Sequence, residues 1–415
     1  MSSGRAYVLG AGLSGLAAAS ALAEAGKQVT LIEAAPQAGG RCRSFFDKQL
    51  GTDIDNGNHL VLSGNRDAMQ YLERIKALDT VDILPAHFDF RDINLKLSWT
   101  LKLGQGRIPW WVFCPHHRVP GTRLLDYWRS RALLKAGEAA TIETVLSRTG
   151  QLYERFWKPF SIAVLNTEPE KASAQLLAPV IRETLAMGGD ACRPVMPKRG
   201  LGFSFVDPAL DYLLQKGAEV RLGSRLRGVA CADGRVRSLD IDGETIALNT
   251  DDIVISALPS AIAGEMLGLD CVPDDYRSIV NVHFLIGTTE NCPKIMGIVG
   301  GLAEWLFVKG KVASVTISAA DHVVEQTAED IAARVWRDIA TILGRDPAKI
   351  PPVRVIKEKR ATFAQTPEQI RRRPKAATHL ENLWLAGDWT ETGLPATIEG
   401  AVQSGHRSAA LALNK

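Results

Sequence analysis

Cysteine is scarce in the 415-residue sequence. The six that occur (Cys42, Cys114, Cys192, Cys231, Cys271, Cys292) lie far apart with no C-x-x-C pair. That usage excludes a disulfide framework and a zinc site, no metal is expected, and a cytoplasmic setting is the default. Long apolar runs are missing as well: nowhere do 18 uninterrupted apolar residues occur, so no spanning helix is expected. The N-terminus lacks a basic n-region and a small-residue cleavage site, which argues against a signal peptide. An excess of one charge is also absent, 49 Lys and Arg standing against 46 Asp and Glu. A balance of +3 gives no reason to expect nucleic acid as a partner. What is present is 46% hydrophobic and 23% charged residues, the composition of an ordered globule, in a chain long enough to need two packed domains.

The N-terminal 33 residues read as strand, glycine turn, helix and strand: an apolar run Ala6 to Leu9, then Gly10-Ala-Gly12-Leu-Ser-Gly15, an Ala/Leu-rich stretch stopped at Gly26, and Val29 to Ile32. In such a unit Gly10 makes the tight turn, Gly12 lets a pyrophosphate approach the backbone, and Gly15 lets helix and strand pack closely. The helix N-terminus offers free N–H groups to phosphates. Glu33, at the end of the second strand, stands where a carboxylate can accept both hydroxyl protons of an adenosine ribose. A glycine turn alone would suit any βα connection; here the strands, helix and acid stand at the required distances, with Ala19 and Leu22 turned to the sheet. Nicotinamide-binding units do not usually carry Gly39-Gly40-Arg41 after the acid. Two glycines let the loop pass against a cofactor, and Arg41 can neutralise a pyrophosphate, which points to FAD.

The C-terminal stretch ENLWLAGDWTETGLPAT supplies an apolar strand, Leu383 to Ala386, closed by Gly387 and Asp388, with a helix over Ile398 to Leu413. Asp388 could bind a ribityl hydroxyl or a phosphate-bridging water, and the helix beginning near Thr397 could aim its positive end at the flavin pyrimidine. A capped turn is the other reading of Gly387-Asp388.

These residues resemble the amine-oxidase and phytoene-desaturase-like flavoprotein superfamily. Within it, DNGNH at Asp55 to His59, NTEPEKAS at Asn166 to Ser173, RATFAQTP at Arg360 to Pro367 and the block AGDWTETGLPATIEGAVQSG are similar to the squalene-associated, FAD-dependent hydroxysqualene dehydroxylases of hopanoid biosynthesis. Asn58 stands where a glutamine is more usual, and Cys42, where small residues are more usual, reads as core filler. The resemblance implies an α/β fold, a Rossmann-type FAD-binding domain of the GR2-like kind with a three-layer ββα arrangement plus an α+β substrate-binding domain. It implies that Leu226 meets the adenine through its backbone. The implied reaction is removal of an allylic hydroxyl from a hydrophobic C30 isoprenoid by reduced FAD, releasing squalene and water, with an external reductant reloading the flavin. His59 and Asn166 are the candidates for polar work at the reacting centre; a second-shell or core histidine is the other reading of His59.

The discontinuous cofactor domain is expected over 1–60, 200–260 and 370–415, and the substrate domain over 61–199 and 261–369. Gly200-Leu-Gly202 lacks a third glycine and a following acid, so no nicotinamide domain is visible. A helix is expected over Ala328 to Leu343, and Arg371 to Arg373 reads as a solvated run. In 107–135 Leu124, Leu125, Trp128, Ala132 and Leu133 would share one helical face flanked by bases, suited either to a membrane interface, peripheral on the inner face of the membrane, or to an ordinary core. His116-His117 has no ligand partner at metal spacing and reads as surface. Two rivals remain: a carotenoid-type desaturase or amine oxidase of the same superfamily, running in the opposite redox direction, and a non-enzymatic prenyl-lipid-binding escort. A complete FAD cradle argues against the escort.

Overall fold

The structure, a computed structural model, describes residues 4–146, 150–290 and 292–414. Strand β1 (Arg5–Leu9), helix α1 (Leu13–Glu24) and strand β2 (Gln28–Glu33) form one βαβ unit. Alanines dominate α1 because they lose no side-chain entropy and leave room for close approach; Leu16, Ala17, Ala18, Ala19 and Leu22 are fully buried. A Cβ on Gly15 would lie 1.9 Å from the Gly10 carbonyl oxygen, so only glycine fits there.

The unit sits in a five-stranded parallel sheet, in the order Glu219–Leu222, β2, β1, Ile253–Ser256, Leu383–Leu385. Its strands read as near-continuous apolar runs because both faces are covered. On one face pack α1, the helix Asp207–Gln215 and the C-terminal helix Ile398–Leu413. The C-terminal helix crosses α1 so closely that a Cβ on Gly405 would meet the Ser14 carbonyl oxygen at 2.2 Å. On the other face an antiparallel meander, Leu226–Ala232, Arg235–Ile241 and Glu244–Ala247, buries Val236, Leu239 and Ile241 against Tyr7, Leu9, Ile32 and Val254. The result is the three-layer ββα arrangement.

A second sheet of seven strands runs Val353–Phe363, Tyr276–Leu285, Val312–Ile317, Trp305–Lys309, Ile295–Val299, His87–Asp92, Leu97–Lys102, parallel between the fifth and sixth and antiparallel elsewhere. Helix Ala328–Ile339 covers one face with Ile331, Val335, Trp336 and Ile339. It ends four residues earlier than expected, because the chain turns over 340–344 and Arg345 N–H donates to the Ala340 carbonyl at 2.8 Å. The other face meets the helices Lys158–Leu165 and Ala174–Glu183 through Phe90, Trp99, Trp305 and Phe307.

The single helix expected around 124–135 is two pieces, an α-helix Leu124–Arg129 and a 3-10 turn Ser130–Lys135. Ser130 makes the break: its buried hydroxyl donates to the Asp126 carbonyl at 3.0 Å and accepts from Trp157 Nε1 at 2.7 Å. Leu133 is thereby turned into the core while Leu124, Leu125 and Trp128 face outward. Among the described residues no helix is long and apolar enough to cross a membrane.

Candidate active site

The β1–α1 turn opens onto a cavity of about 870 Å³ that runs between the two sheets. Gly10, with φ +104°, reverses the chain and donates its N–H to the Ile32 carbonyl at 2.7 Å. Gly12 faces the cavity, and a Cβ there would meet no protein atom within 4 Å, which leaves room for a ligand to approach the backbone. No side chain caps α1, so its first N–H groups point into the same space. Gly39, φ +100°, bonds its N–H to the Ala11 carbonyl at 2.7 Å and brings Gly40 against Gly12. The Glu33 carboxylate accepts from Ala11 N–H at 2.7 Å and Ala35 N–H at 2.9 Å. A carboxylate has about four acceptor positions, so two remain for hydroxyl donors. Leu226 lines the cavity beside Glu33, on the first strand of the meander.

The two ends of the chain meet at Arg41 and Asp388, whose guanidinium and carboxylate lie 2.7 Å apart. Arg41 also donates to the Ala361 carbonyl at 2.5 Å. Asp388 is buried; Gly387, φ +148°, precedes it and donates its N–H to Ser404 Oγ at 2.8 Å. Thr397 caps the C-terminal helix, its hydroxyl accepting from Gly400 N–H at 3.2 Å, and lines the cavity with Ile398. Two helix N-termini, a glycine cradle, an acid at each strand end and an arginine therefore border one elongated space. These donors suit a dinucleotide with an anionic linker, and FAD fits the arrangement.

Arg373, read from sequence as solvated, is buried. Its guanidinium donates to the carbonyls of Leu394 at 2.9 Å and Asp388 at 3.1 Å and to Thr392 Oγ1 at 2.8 Å. Burial lowers its pKa to about 10, which leaves it charged. It braces the loop between the Asp388 turn and the C-terminal helix. A run of three arginines carries no periodicity to show which one turns inward, so the sequence held no signal for this role.

His59 and Asn166 both line the cavity, but they differ. His59 is partly buried in the cavity wall, and desolvation, aided by the Arg41 charge, pushes its pKa down to about 4; it is a neutral imidazole at neutral pH. Asn166, in a left-handed conformation at φ +44°, ends the helix Lys158–Leu165. Its Nδ2 donates to Thr362 Oγ1 at 3.0 Å, and its Oδ1 accepts from Ala319 N–H at 2.6 Å. Both ends of its amide are committed to the protein.

Three stretches of the resemblance converge here. Gln365, fully buried, donates from Nε2 to the Leu165 carbonyl at 2.8 Å and accepts at Oε1 from Ala396 N–H at 3.0 Å, while its own N–H donates to Thr167 Oγ1 at 3.0 Å. Asp55 of DNGNH accepts from Ser44 Oγ at 2.5 Å and Leu201 N–H at 2.8 Å and pairs with Lys309 at 2.7 Å. Asn58 donates to Thr316 Oγ1 at 3.1 Å, tying that loop to the seven-stranded sheet. Glu399 accepts from the N–H groups of Asp67 and Ala68 at 3.0 and 2.8 Å, and burial pushes its pKa up to about 7. Cys42 is buried among apolar neighbours, its thiol pKa pushed far up by desolvation. Beyond His59 the cavity is walled by Leu60, Phe88, Leu101, Phe156, Phe160 and Trp305.

The family model of flavin containing amine oxidoreductases matches residues 13–413. Hydroxysqualene dehydroxylase of Rhodopseudomonas palustris is 45% identical over 409 residues, 98% of either chain. The Zymomonas mobilis hydroxysqualene dehydroxylase is 44% identical over 409 residues, covering 98% of this chain and 99% of its own. A solved structure of putrescine oxidase shares the fold at a TM-score of 0.71 and 15% identity, over 99% of each chain. The chain belongs to the flavin containing amine oxidoreductase family, and its sequence places it beside the hydroxysqualene dehydroxylases within that family.

Proposed function

We propose that the chain is an FAD-dependent oxidoreductase that removes the hydroxyl of hydroxysqualene, giving squalene and water. The observation that carries this reading is 45% identity to a hydroxysqualene dehydroxylase from end to end, in a chain whose dinucleotide cradle opens into an aromatic-walled chamber. Bound and reduced, FAD would supply both the hydride that goes to the carbon and the proton that turns the departing hydroxyl into water. Gly10, Gly12, Gly40 and the α1 N-terminus would hold its pyrophosphate, with Gly15 packing the turn that presents them, Glu33 its ribose, Leu226 its adenine, and Gly387, Asp388 and Thr397 its flavin end. Arg41 sits between the two halves. The walls of Phe88, Leu101, Phe156, Phe160 and Trp305 exclude water, so that the electron-poor allylic carbon left by the departing hydroxyl is not recaptured. His59, neutral in the pocket, would orient the leaving hydroxyl through a ring nitrogen and stores no proton of its own.

In this reading 1–60, 200–260 and 370–415 hold the cofactor, and 61–199 and 261–369 hold the isoprenoid. An external reductant reloads the flavin. The reaction belongs in the cytoplasm, consistent with six free cysteines. The test is anaerobic incubation of dithionite-reduced holoprotein with hydroxysqualene. Squalene appearing as the flavin reoxidises is the expected result, and reoxidation without squalene overturns the proposal.

A further inference from the structure

We propose that the face built by residues 107–135 docks on an anionic lipid bilayer. Ile108, Trp110, Phe113, Leu124, Leu125 and Trp128 all point outward, with Trp110 and Trp128 66% exposed and Phe113 60%. Single exposed apolar residues are ordinary, but six large ones within 21 residues form a patch that needs a partner. An amphipathic helix with its apolar side in the core does not account for them. The inward side is already filled by Trp111, Val112, Tyr127 and Leu133, so the outer set is a second apolar face.

The two halves of the patch are clamped together. Trp111 meets Tyr127 edge to face at 5.5 Å, fixing the turn Trp110–Phe113 to the helix Leu124–Arg129, and Trp110 lies 5.9 Å from Phe113. The charge is equally concentrated. Arg107, Arg118, Arg123, Arg129, Arg131 and Lys135 stand against one acid, Asp126, a local balance of +5. The whole chain sums to +3, so the other residues sum to −2, and the excess is confined to this face. Asp126 is occupied, accepting from Arg123 N–H at 2.8 Å. Arg131 lies 4.4 Å over the Trp128 ring, placing a base and an indole at one depth.

Tryptophans beside arginines, over a shallow apolar face, are what the headgroup layer accepts: the rings sit at the interface and the bases meet anionic phosphates. A protein partner would cover the same apolar area, but the one-sided charge favours anionic lipid. The underside of the segment packs on the core that walls the apolar chamber, through Leu101 and Phe156. That this is the side where the isoprenoid enters rests on the proposed function.

The test is co-sedimentation of the FAD-loaded protein with vesicles of phosphatidylcholine alone and of equal parts phosphatidylcholine and phosphatidylglycerol. Binding to the anionic vesicles is expected, weakening as salt rises from about 0.1 M to about 0.5 M. Arg123→Glu with Arg129→Glu should lower the partition coefficient at least about tenfold. Trp110→Ala, Phe113→Ala and Trp128→Ala together should abolish binding, with flavin content and unfolding midpoint unchanged in both variants. Brominated acyl chains should quench the parent's tryptophan fluorescence more than that of the aromatic variant. Failure to sediment with anionic vesicles, or binding that both variants retain, overturns the proposal. So does a parent dimer that the aromatic variant turns into monomers. No substrate is involved: vesicle binding without hydroxysqualene turnover sinks the proposed function alone, and turnover in detergent without vesicle binding sinks this surface alone.

Discussion

Gln365 offers a sharp test of how the site is held. Replacing it with leucine keeps the volume and removes two side-chain hydrogen bonds. The Leu165 carbonyl keeps a partner, because Thr167 Oγ1 also donates to it at 3.0 Å. Ala396 N–H loses its acceptor, 3.0 Å away, and is left pointing at a hydrocarbon. One orphaned buried donor costs about 1–3 kcal/mol and the lost bond to Leu165 about 1 kcal/mol, so Gln365→Leu should cost about 2–4 kcal/mol. Ala396 borders the cavity immediately before the C-terminal helix, so part of the loss should appear at the flavin end of the site. If half of it is felt there, FAD affinity falls by about tenfold. Urea unfolding of the apoprotein and FAD titration followed by flavin fluorescence read the two parts separately. Gln365→Glu sharpens the test. It keeps an acceptor for Ala396 but turns a second oxygen toward the Leu165 carbonyl, so it must hold a proton to fit and should be more stable in weak acid than in weak base. An unchanged midpoint together with an unchanged FAD affinity in Gln365→Leu would refute the reasoning.

Gly15→Ala should yield colourless, less stable protein, because its Cβ would meet the Gly10 carbonyl oxygen at 1.9 Å; a yellow protein with the parental midpoint contradicts this. Glu399 keeps its proton up to about pH 7 in the fold against an ordinary value of 4.5, so its contribution to stability falls as pH rises between those values, by up to about 1.4 kcal/mol per pH unit. The difference in urea stability between parent and Glu399→Gln should therefore change across that window and be flat above it; a difference independent of pH refutes the shift. His59→Gln should lower turnover and leave flavin affinity intact. With His59 neutral above about pH 4, the parent should show no histidine limb in its rate profile, and a limb near pH 6.5 that the variant loses would contradict this. Asn166→Ala should instead unfold more easily, by about 2–4 kcal/mol, since it strands Ala319 N–H and Thr362 Oγ1; an unchanged midpoint with lost turnover would return it to the chemistry.

Much of the cofactor side could be read from the sequence because local chemistry dictates it. The Gly10-x-Gly12-x-x-Gly15 turn needs a positive φ, an open approach and a close crossing at set positions, and each demand is met within a few residues by its neighbours. The meander and the strand Ile253–Ser256 are likewise legible as alternating or continuous apolar runs. The helix after Leu124 was harder, because its end at Arg129 is set by a hydrogen bond from Trp157, far along the chain. Asn166 reads from the sequence as a candidate for polar work at the reacting centre. Its amide is tied to Ala319 and Thr362, which no local pattern connects to it. Arg373 was missed for the same reason: the three acceptors that bury it lie on a loop whose path is not written in its own neighbourhood.

The Arg41–Asp388 pair shows why the cofactor end and the fold are coupled. Asp388 is buried, and an ionised carboxylate in that setting needs a cation or donors nearby. Arg41 supplies the cation from the N-terminal loop, while Arg373 holds the Asp388 carbonyl and the rest of the loop from below. Arg41 is itself nearly half exposed to the cavity side, 45%, and keeps donor capacity for a second anion. A pyrophosphate entering beside it would therefore share the guanidinium with Asp388 and would not have to displace a fully engaged pair. The same arginine thus links the N-terminal cradle to the C-terminal turn and, on the proposed function, would also neutralise phosphate charge. Loading of the flavin should accordingly stiffen the junction between the two chain ends, with protection from amide exchange appearing at both the Gly39–Arg41 loop and the Asp388 turn.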